Sequence, residues 1–316
     1  MRTLVTGGAG FIGSHVAERL LKRGEEVTLL DNFDPYYDPA IKRRTAAELG
    51  ALGARLVEAD LREPAALAEA LEGVERVVHL AARPGVRSSI EDPVLTFQSN
   101  VNGTLNLLEA MRARPGLRHI VFASSSSVYG GDAVAPFRED QPASRPLSPY
   151  AASKRACEHL AASYAELFEF RVTGLRFFTV YGPRGRPDMA IGKFIGLALS
   201  GQPVPLYGDG SVVRDFTYVD DIVDGIVAAL DRPSPGFEVL NIGGGCTATM
   251  RELIDLIGAA LGSALEVERH PAAAGDMPKT HADLTRVAER LGFASRVPLA
   301  EGLRRTVEWA RVQRAQ

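Results

Sequence analysis

Cysteine is scarce in this chain: Cys157 and Cys246 are the only two among 316 residues. They are too few and too far apart for a disulfide framework or a zinc cluster, and they read as buried, reduced thiols of a cytoplasmic protein. Histidine is also thin. His15, His79, His119, His159, His270 and His281 are scattered without ligand spacing, so no metal site is expected. Neither sign of charge dominates. The net charge of −3 leaves no basic field, and nucleic acid is not an expected partner. No apolar run of about 18 residues occurs, and strand-like sequence begins almost at Met1, so neither a membrane span nor a signal peptide is expected. Internal repeats and low-complexity tracts are missing as well. What is present, 46% hydrophobic and 24% charged residues, is ordinary globular composition, and the length suits one large domain with a smaller lobe.

The most informative stretch is Thr6-Gly7-Gly8-Ala9-Gly10-Phe11-Ile12-Gly13, which follows the apolar pair Leu4-Val5 and opens an amphipathic helix carrying Val16, Leu20 and Leu21. Gly8, Gly10 and Gly13 satisfy G-x-G-x-x-G in the order strand, turn, helix. The first permits the tight turn, the second lets the backbone approach a pyrophosphate, and the third lets helix pack on strand. The helix N-terminus offers unpaired N–H groups and a positive dipole end to the phosphates. A second strand, Glu26 to Leu30, ends at Asp31, 18 residues beyond Gly13. A carboxylate there grips a free ribose 2′-hydroxyl and repels a 2′-phosphate, which favours NAD over NADP. Lys42, Arg43 and Arg44 lie nearby and read as a solvated helix face.

Strand-like runs at 2–6, 26–31, 54–59, 75–81, 118–124 and 171–177 alternate with helical patterns near 12–23, 40–50, 64–72, 92–112 and 150–169. That alternation predicts an α/β fold: a doubly wound parallel (Rossmann) sheet with helices on both faces and ligands at the carboxyl ends of its strands. After about residue 176 the elements shorten, and Gly182-Pro183, Gly201-Gln202-Pro203 and Pro233-Ser234-Pro235 punctuate the chain. The expected organisation is an NAD-binding domain over 1–175, to which 215–245 returns, and a smaller C-terminal α/β substrate lobe from 176–214 and 246–316. Val94, Phe97, Val101, Leu105 and Leu108 on helix 92–112, and Cys157, Leu160, Tyr164, Leu167 and Phe168 on helix 150–169, read as mostly core. Part of these faces is available for a helix-bundle homodimer.

Tyr150-Ala151-Ala152-Ser153-Lys154 sets a phenol and an ammonium one helical turn apart on one face. A free phenol, with a pKa of about 10, is a poor base at neutral pH. A neighbouring ammonium and a cationic nicotinamide favour the phenolate, and reaching a pKa of about 7 takes about 4 kcal/mol. A phenolate at Tyr150 takes the proton of a substrate hydroxyl while hydride leaves the same carbon for the nicotinamide. Ser124 to Ser127 end the fifth strand, where a hydroxyl can share the moving proton or hold a carbonyl oxygen.

Together these residues resemble the extended short-chain dehydrogenase/reductase family over nearly the whole chain. The matching motifs are Thr6 to Gly13, Asp31-Asn32, Asp60-Leu61, His79-Leu80-Ala81-Ala82, Asn100, Ser125, Tyr150 with Lys154, and Arg214 to Asp221. The resemblance implies a nucleotide-sugar substrate, a tightly held NAD, and a catalytic triad of Ser125, Tyr150 and Lys154. It implies cofactor contacts from Gly7, Gly10, Phe11, Ile12, Gly13, Asp31, Asn32, Asp60, Leu61, Leu80, Ala81, Ala82 and Asn100, joined by Tyr150 and Lys154. It assigns Asp60 and Leu61 to the adenine, Arg214 to the nucleotide diphosphate, and Tyr207 to the uracil.

Within the family, the two residues after the catalytic hydroxyl divide the chemistry. Sugar-nucleotide 4,6-dehydratases carry Asp and Glu there, and UDP-glucuronate decarboxylases typically carry Glu second. Ser126 and Ser127 cannot do that proton chemistry at neutral pH. Oxidation at C4, rotation of the ketone and hydride return to its other face remain, which is 4-epimerisation. Gly85-Val86-Arg87, Ser124 to Gly130 and Thr173 to Met189 most resemble UDP-glucuronate 4-epimerases. That resemblance puts Arg186 on the substrate carboxylate, for which its planar fork is suited. It adds Ser126, Ser127 and Thr179 as hydrogen-bonding partners of the same group and Arg87 as a further substrate contact. The 4-keto intermediate is a β-keto acid, so holding the carboxylate out of line keeps carbon dioxide from leaving. Pro271 to Asp276 matches a nucleotide-contacting loop in which Asp276 takes the uridine ribose, although Ala273 replaces a usual polar or basic residue. Three rival readings stand beside this one: a 4-epimerase of UDP-glucose or UDP-N-acetylglucosamine, a net reductase, and a non-catalytic nucleotide-binding sensor.

Overall fold

The computed structural model describes residues 1–271 and 277–315. Its strands, in chain order, are β1 (Arg2–Thr6), β2 (Glu26–Asp31), β3 (Arg55–Glu58), β4 (Arg76–His79), β5 (His119–Ser125), β6 (Arg171–Phe177), β7 (Thr179–Tyr181), β8 (Val204–Tyr207), β9 (Val213–Tyr218), β10 (Phe237–Ile242), β11 (Thr247–Thr249) and β12 (Val267–His270). The helices are α1 (Phe11–Lys22), α2 (Pro39–Ala51), α3 (Leu67–Ala70), α4 (Val86–Glu91), α5 (Pro93–Phe97), α6 (Gly103–Arg112), α7 (Pro149–Phe168), α8 (Ala190–Leu199), α9 (Val219–Asp231), α10 (Met250–Leu261), α11 (Thr285–Leu291) and α12 (Leu299–Ala315).

Two compact units divide the chain. The first holds 1–133, 141–176 and 223–240; the second holds 134–140, 177–222 and the chain from Asn241 onward. The seven-stranded sheet has the order β10-β6-β5-β4-β1-β2-β3, with β1 parallel to both β2 and β4, β2 to β3 and β4 to β5. The order reverses between β1 and β4, and a doubly wound sheet takes its ligand at that switch point. Leu4, Val5, Leu29, Val77 and Val78 are fully buried, because helices cover both faces of a parallel sheet and its strands read as unbroken apolar runs. Each such side chain contributes about 1.5–3 kcal/mol of burial.

The helical stretch 92–112 is not one helix. α5 starts at Pro93, capped by the Asp92 carboxylate, which accepts the Leu95 N–H (3.0 Å). Gln98–Asn102 then form a π turn, and α6 comes next. A π turn shifts everything after it by one residue, about 100° of helix phase. The apolar face read as mostly core therefore splits. Leu107, Leu108 and Met111 are fully buried, while Val94 is 65% and Phe97 39% exposed.

The second unit contains a three-stranded sheet, β11-β9-β7, and the parallel pair β12-β8. β9 lies parallel to β7 and antiparallel to β11. Of the stretch 215–245, residues 223–240 group with the first unit, and 215–222 and 241–245 with the second. Buried Asp215 of β9 accepts the N–H groups of Gly244 (2.7 Å) and Ala282 (2.9 Å), which binds that strand into the second unit. Of the two cysteines expected to be buried, Cys157 is and Cys246 is not: it is exposed just before β11. Among the described residues no helix is long and apolar enough to cross a membrane.

Candidate active site

The glycine turn is built by contacts that leave no room for side chains. Gly7 has φ +68°, and a Cβ there would stand 2.8 Å from the Ala81 nitrogen; one on Gly13 would overlap the Gly7 carbonyl oxygen. Gly10 differs. Its φ of −77° suits any residue, and the nearest protein atom to an added Cβ would be Gly7 O at 3.1 Å. Within the protein, Gly10 is thus the least crowded of these three, with one tight contact in place of an overlap, as suits a pyrophosphate approaching the α1 N-terminus. No side chain caps that N-terminus, so its first N–H groups are left for an anion.

Asp31 ends β2 with both carboxylate oxygens engaged, Oδ2 by the Ala9 N–H (3.1 Å) and Oδ1 by the Phe33 N–H (2.9 Å). Burial raises its pKa and outweighs the lowering by those N–H groups and by Lys42. Lys42 is not on a solvated face. It is buried, its Nζ donates to Asp34 O (2.7 Å), and desolvation lowers its pKa. Arg43 and Arg44 are exposed; Arg43 forks onto Glu58 (2.8 and 3.0 Å). Asn32 donates to Asp60 Oδ2 (2.8 Å), and Arg62 grips both Asp60 oxygens (3.0 and 2.7 Å). Chiefly through Arg62, the Asp60 pKa falls to about 2. Leu61 is buried beside it, whereas Leu80, Ala81 and Ala82 are partly buried after β4.

Asn100 sits in the π turn, and that wide turn gives its carboxamide two jobs. Oδ1 accepts the Arg83 N–H (2.7 Å), while Nδ2 donates to Arg83 O (3.1 Å) and Ser153 Oγ (2.9 Å). The loop after β4 is thereby tied to α7. Arg83 escaped the sequence reading. Its guanidinium lies 5.6 Å from the Tyr36 ring centroid, and its buried Nε has no hydrogen-bond partner, an orphaned donor that fits an anionic cofactor. Beneath it, Thr104 Oγ1 donates to Asn100 O (2.6 Å), so it accepts from His79 Nε2 (3.0 Å), and His79 Nδ1 accepts from Thr6 Oγ1 (2.7 Å). Burial, with the Lys154 charge, drops the His79 pKa to about 3. The ring is neutral.

α7 begins at Ser148, whose hydroxyl accepts the Ala151 N–H (3.1 Å), with Pro149 in the first turn. This start places Tyr150 at the second helical position, partly buried, and Lys154 one turn on, 6% exposed. Lys154 Nζ donates to Ala123 O (2.9 Å) on β5, two residues before Ser125. The Ser125 hydroxyl accepts the Ser127 N–H (3.2 Å), which starts the 3₁₀ turn Ser126–Tyr129. Ser125, Tyr150, Lys154 and the glycine turn all belong to the first unit, as does Arg87, exposed on α4.

Thr179, Arg186, Tyr207 and Arg214 belong to the second unit. Arg186 forks onto Asp188 (3.0 and 2.7 Å). Tyr207 stacks on His270 with ring centroids 5.2 Å apart. Arg214 Nη1 donates to Val213 O (2.9 Å) and Met277 O (2.7 Å). Asp276 lies outside the described residues, and among those described no cluster of three or more His, Cys, Asp or Glu could hold a metal ion.

Residues 3–243 match the model of the NAD dependent epimerase/dehydratase family. The chain is 40% identical to a probable UDP-glucuronate 4-epimerase of Rhizobium meliloti, over 98% of this chain and 96% of that one. It is also 40% identical to a UDP-glucuronate 4-epimerase of Thermodesulfobacterium geofontis, over 98% and 95%. The crystal structure of the UDP-glucuronic acid 4-epimerase of Bacillus cereus, in complex with UDP-glucuronic acid and NAD, superposes with a TM-score of 0.93 at 34% identity, covering 99% of this chain and all of that one.

Proposed function

Since the chain belongs to the NAD dependent epimerase/dehydratase family, we propose that it is an isomerase converting UDP-glucuronate to UDP-galacturonate by NAD-dependent 4-epimerisation. The contact that carries this reading is Lys154 Nζ to Ala123 O, which fixes the Tyr150/Lys154 face of α7 to the strand ending at Ser125. Near-full-length likeness to UDP-glucuronate 4-epimerases supports the substrate.

NAD would be held by the Gly7–Gly13 turn and the α1 N-terminus at its pyrophosphate, by Asp31 at the adenosine ribose, and by Asn32, Asp60 and Leu61 around the adenine. When bound, it supplies a hydride acceptor that gives the hydride back in the same turnover. Tyr150 takes the proton from the sugar 4-hydroxyl and returns it at the end. Lys154, as an ammonium, favours the phenolate, and Ser125 hydrogen-bonds the oxygen that becomes the 4-keto group. Ser126 and Ser127 offer hydroxyls and no carboxylate, so they hold the substrate without eliminating water. Arg186, Thr179 and these serines restrain the carboxylate of the 4-keto acid and suppress its loss as carbon dioxide. Arg87 is a further substrate contact; Arg214 takes the diphosphate, Tyr207 the uracil and Asp276 the uridine ribose. Because Arg186 is already paired with Asp188, the substrate carboxylate competes with an internal one.

The protein acts as a cytoplasmic homodimer in this reading. Exposed Val94 and Phe97 on α5 and Leu167 on α7 support an apolar face for a second copy, and two free cysteines suit a reducing compartment. The test is to incubate purified protein, without added cofactor, with UDP-glucuronate and separately with UDP-glucose, following products by proton NMR. UDP-galacturonate from the first alone is expected. Turnover of UDP-glucose alone refutes the carboxylate site and keeps the epimerase chemistry.

A further inference from the structure

Glu158 stands on α7 one turn beyond Lys154 and is 1% exposed. Oε1 accepts from Ser124 Oγ (2.6 Å) and Arg176 Nε (2.8 Å), and Oε2 accepts from Arg176 Nη2 (2.9 Å) and Arg155 Nη1 (2.5 Å). Burial pushes its pKa up, but Arg176, Ser124 and Arg155 together bring it below the usual carboxylate value. Arg176, on β6, is 2% exposed, and its guanidinium lies 4.7 Å from the centroid of the fully buried Tyr129 ring. Tyr129 closes the 3₁₀ turn that leaves Ser125.

For stability alone this pair is a poor choice, since well-packed apolar residues often serve a core as well as a buried ion pair. Its placement suggests another role. Ser124 directly precedes Ser125, and Ser126–Tyr129 directly succeed it. We propose that Glu158 and Arg176 are positioning residues, holding the chain on both sides of Ser125 so that its hydroxyl is set against the Tyr150/Lys154 face of α7. The proposal rests on the catalytic reading of Ser125, Tyr150 and Lys154. Two successive residues of β5 are tied to one helix, Ala123 through Lys154 and Ser124 through Glu158. The pair also reaches β6 and the turn beyond, so Ser125 is held at the centre of a four-segment clamp. A displacement of about 1 Å at a reacting group can cost about 10²-fold in rate.

Three variants test this: Ser124→Ala, Glu158→Gln and Arg176→Lys, each measured for kcat, KM, bound NAD and Tm. The expected result is a kcat loss of about tenfold for Ser124→Ala and about 10²-fold for Glu158→Gln, with KM and bound NAD unchanged. Arg176→Lys, which keeps the charge and loses the fork, falls between them. A kcat unchanged in Ser124→Ala, or a Tm loss in the other two without a kcat loss, would overturn the proposal. Should Glu158→Gln fail to fold, Ser124→Ala decides alone, because it leaves the ion pair whole. The rates are taken on whichever UDP-sugar the wild-type protein turns over, so an error about substrate shows in the wild type and an error about positioning in the variants. Crystal structures of wild type and Ser124→Ala locate Ser125 Oγ directly; an unmoved hydroxyl overturns the proposal whatever the rates.

Discussion

Gly10→Ala separates what the cofactor needs from what the fold needs. The backbone at Gly10, φ −77° and ψ −179°, accepts alanine without strain. The new Cβ would meet Gly7 O at 3.1 Å, the sole protein atom close to it. A shift of a few tenths of an ångström relieves that contact, so the unliganded protein loses less than about 1 kcal/mol. In the proposed NAD site, the same methyl stands where the pyrophosphate meets the start of α1. Overpacking there costs about 1–3 kcal/mol, a weakening of about 5- to 150-fold in Kd. Gly13→Ala is the contrast, because its Cβ overlaps the Gly7 carbonyl and disrupts the turn before any ligand arrives. The assay is NAD released by acid per mole of purified protein, calorimetric titration of NAD into stripped protein, and Tm with and without NAD. Gly10→Ala should melt like wild type when stripped, gain less Tm from added NAD, and retain less cofactor. If it keeps NAD at wild-type affinity, or melts as early as Gly13→Ala when stripped, the reasoning is wrong.

Arg186→Ala should raise KM for UDP-glucuronate about 10- to 150-fold, from about 1.5–3 kcal/mol of charged hydrogen bonding. Asp188→Asn should lower that KM by up to about fivefold, since an exposed pair is worth about 0.2–1 kcal/mol; equal effects on UDP-glucose kinetics would refute both. Burial, with Lys154, holds His79 near a pKa of about 3, and burial, with Arg171 and Arg76, holds His119 near about 4. The unfolded chain takes up these protons near pH 6.5, so the two histidines leave stability unchanged above that pH. Below it stability falls, down to about pH 3 for His79 and about pH 4 for His119. At pH 5 the loss is about 2 kcal/mol for each. Urea titrations at pH 7 and 5 should show a smaller pH effect in His79→Gln; an identical effect would refute the assignment. Val94→Asp should yield a monomer by light scattering, and an unchanged mass would remove α5 from the proposed dimer face.

How much of this was legible in the residues depended on range. β1, β2 and β6 run where alternation placed strands, because each is a short apolar run bounded by turn residues. The α7 start was readable in Ser148-Pro149, a hydroxyl cap with a proline next to it in the first turn. The π turn was not readable. Gln98–Asn102 carry no composition that separates a π turn from ordinary helix, and packing decides it. The stretch 215–245 was assigned whole to the first domain because periodicity says nothing about which neighbour a strand such as β9 pairs with. The Glu158–Arg176 pair joins residues of different elements. Arg186-Pro187-Asp188, by contrast, lay within three residues, and its internal ion pair was open to inspection. Asp60 was assigned from its motif, but its grip by Arg62, two positions on, is local and was equally readable.

The π turn has a consequence for chain length. It is one residue more than the helical span between α5 and α6 needs, so a one-residue deletion within Gln98–Asn102 would close the region into regular helix. Everything before the deletion would then rotate by about 100° relative to α6. Asn100 would lose Arg83 and Ser153, and α5 would turn Val94 and Phe97 toward new neighbours. A shorter, more regular chain would thus unfasten the loop after β4 and re-aim an outer face in one step. The proposed cofactor site and an outer surface are geared to each other through a single surplus residue.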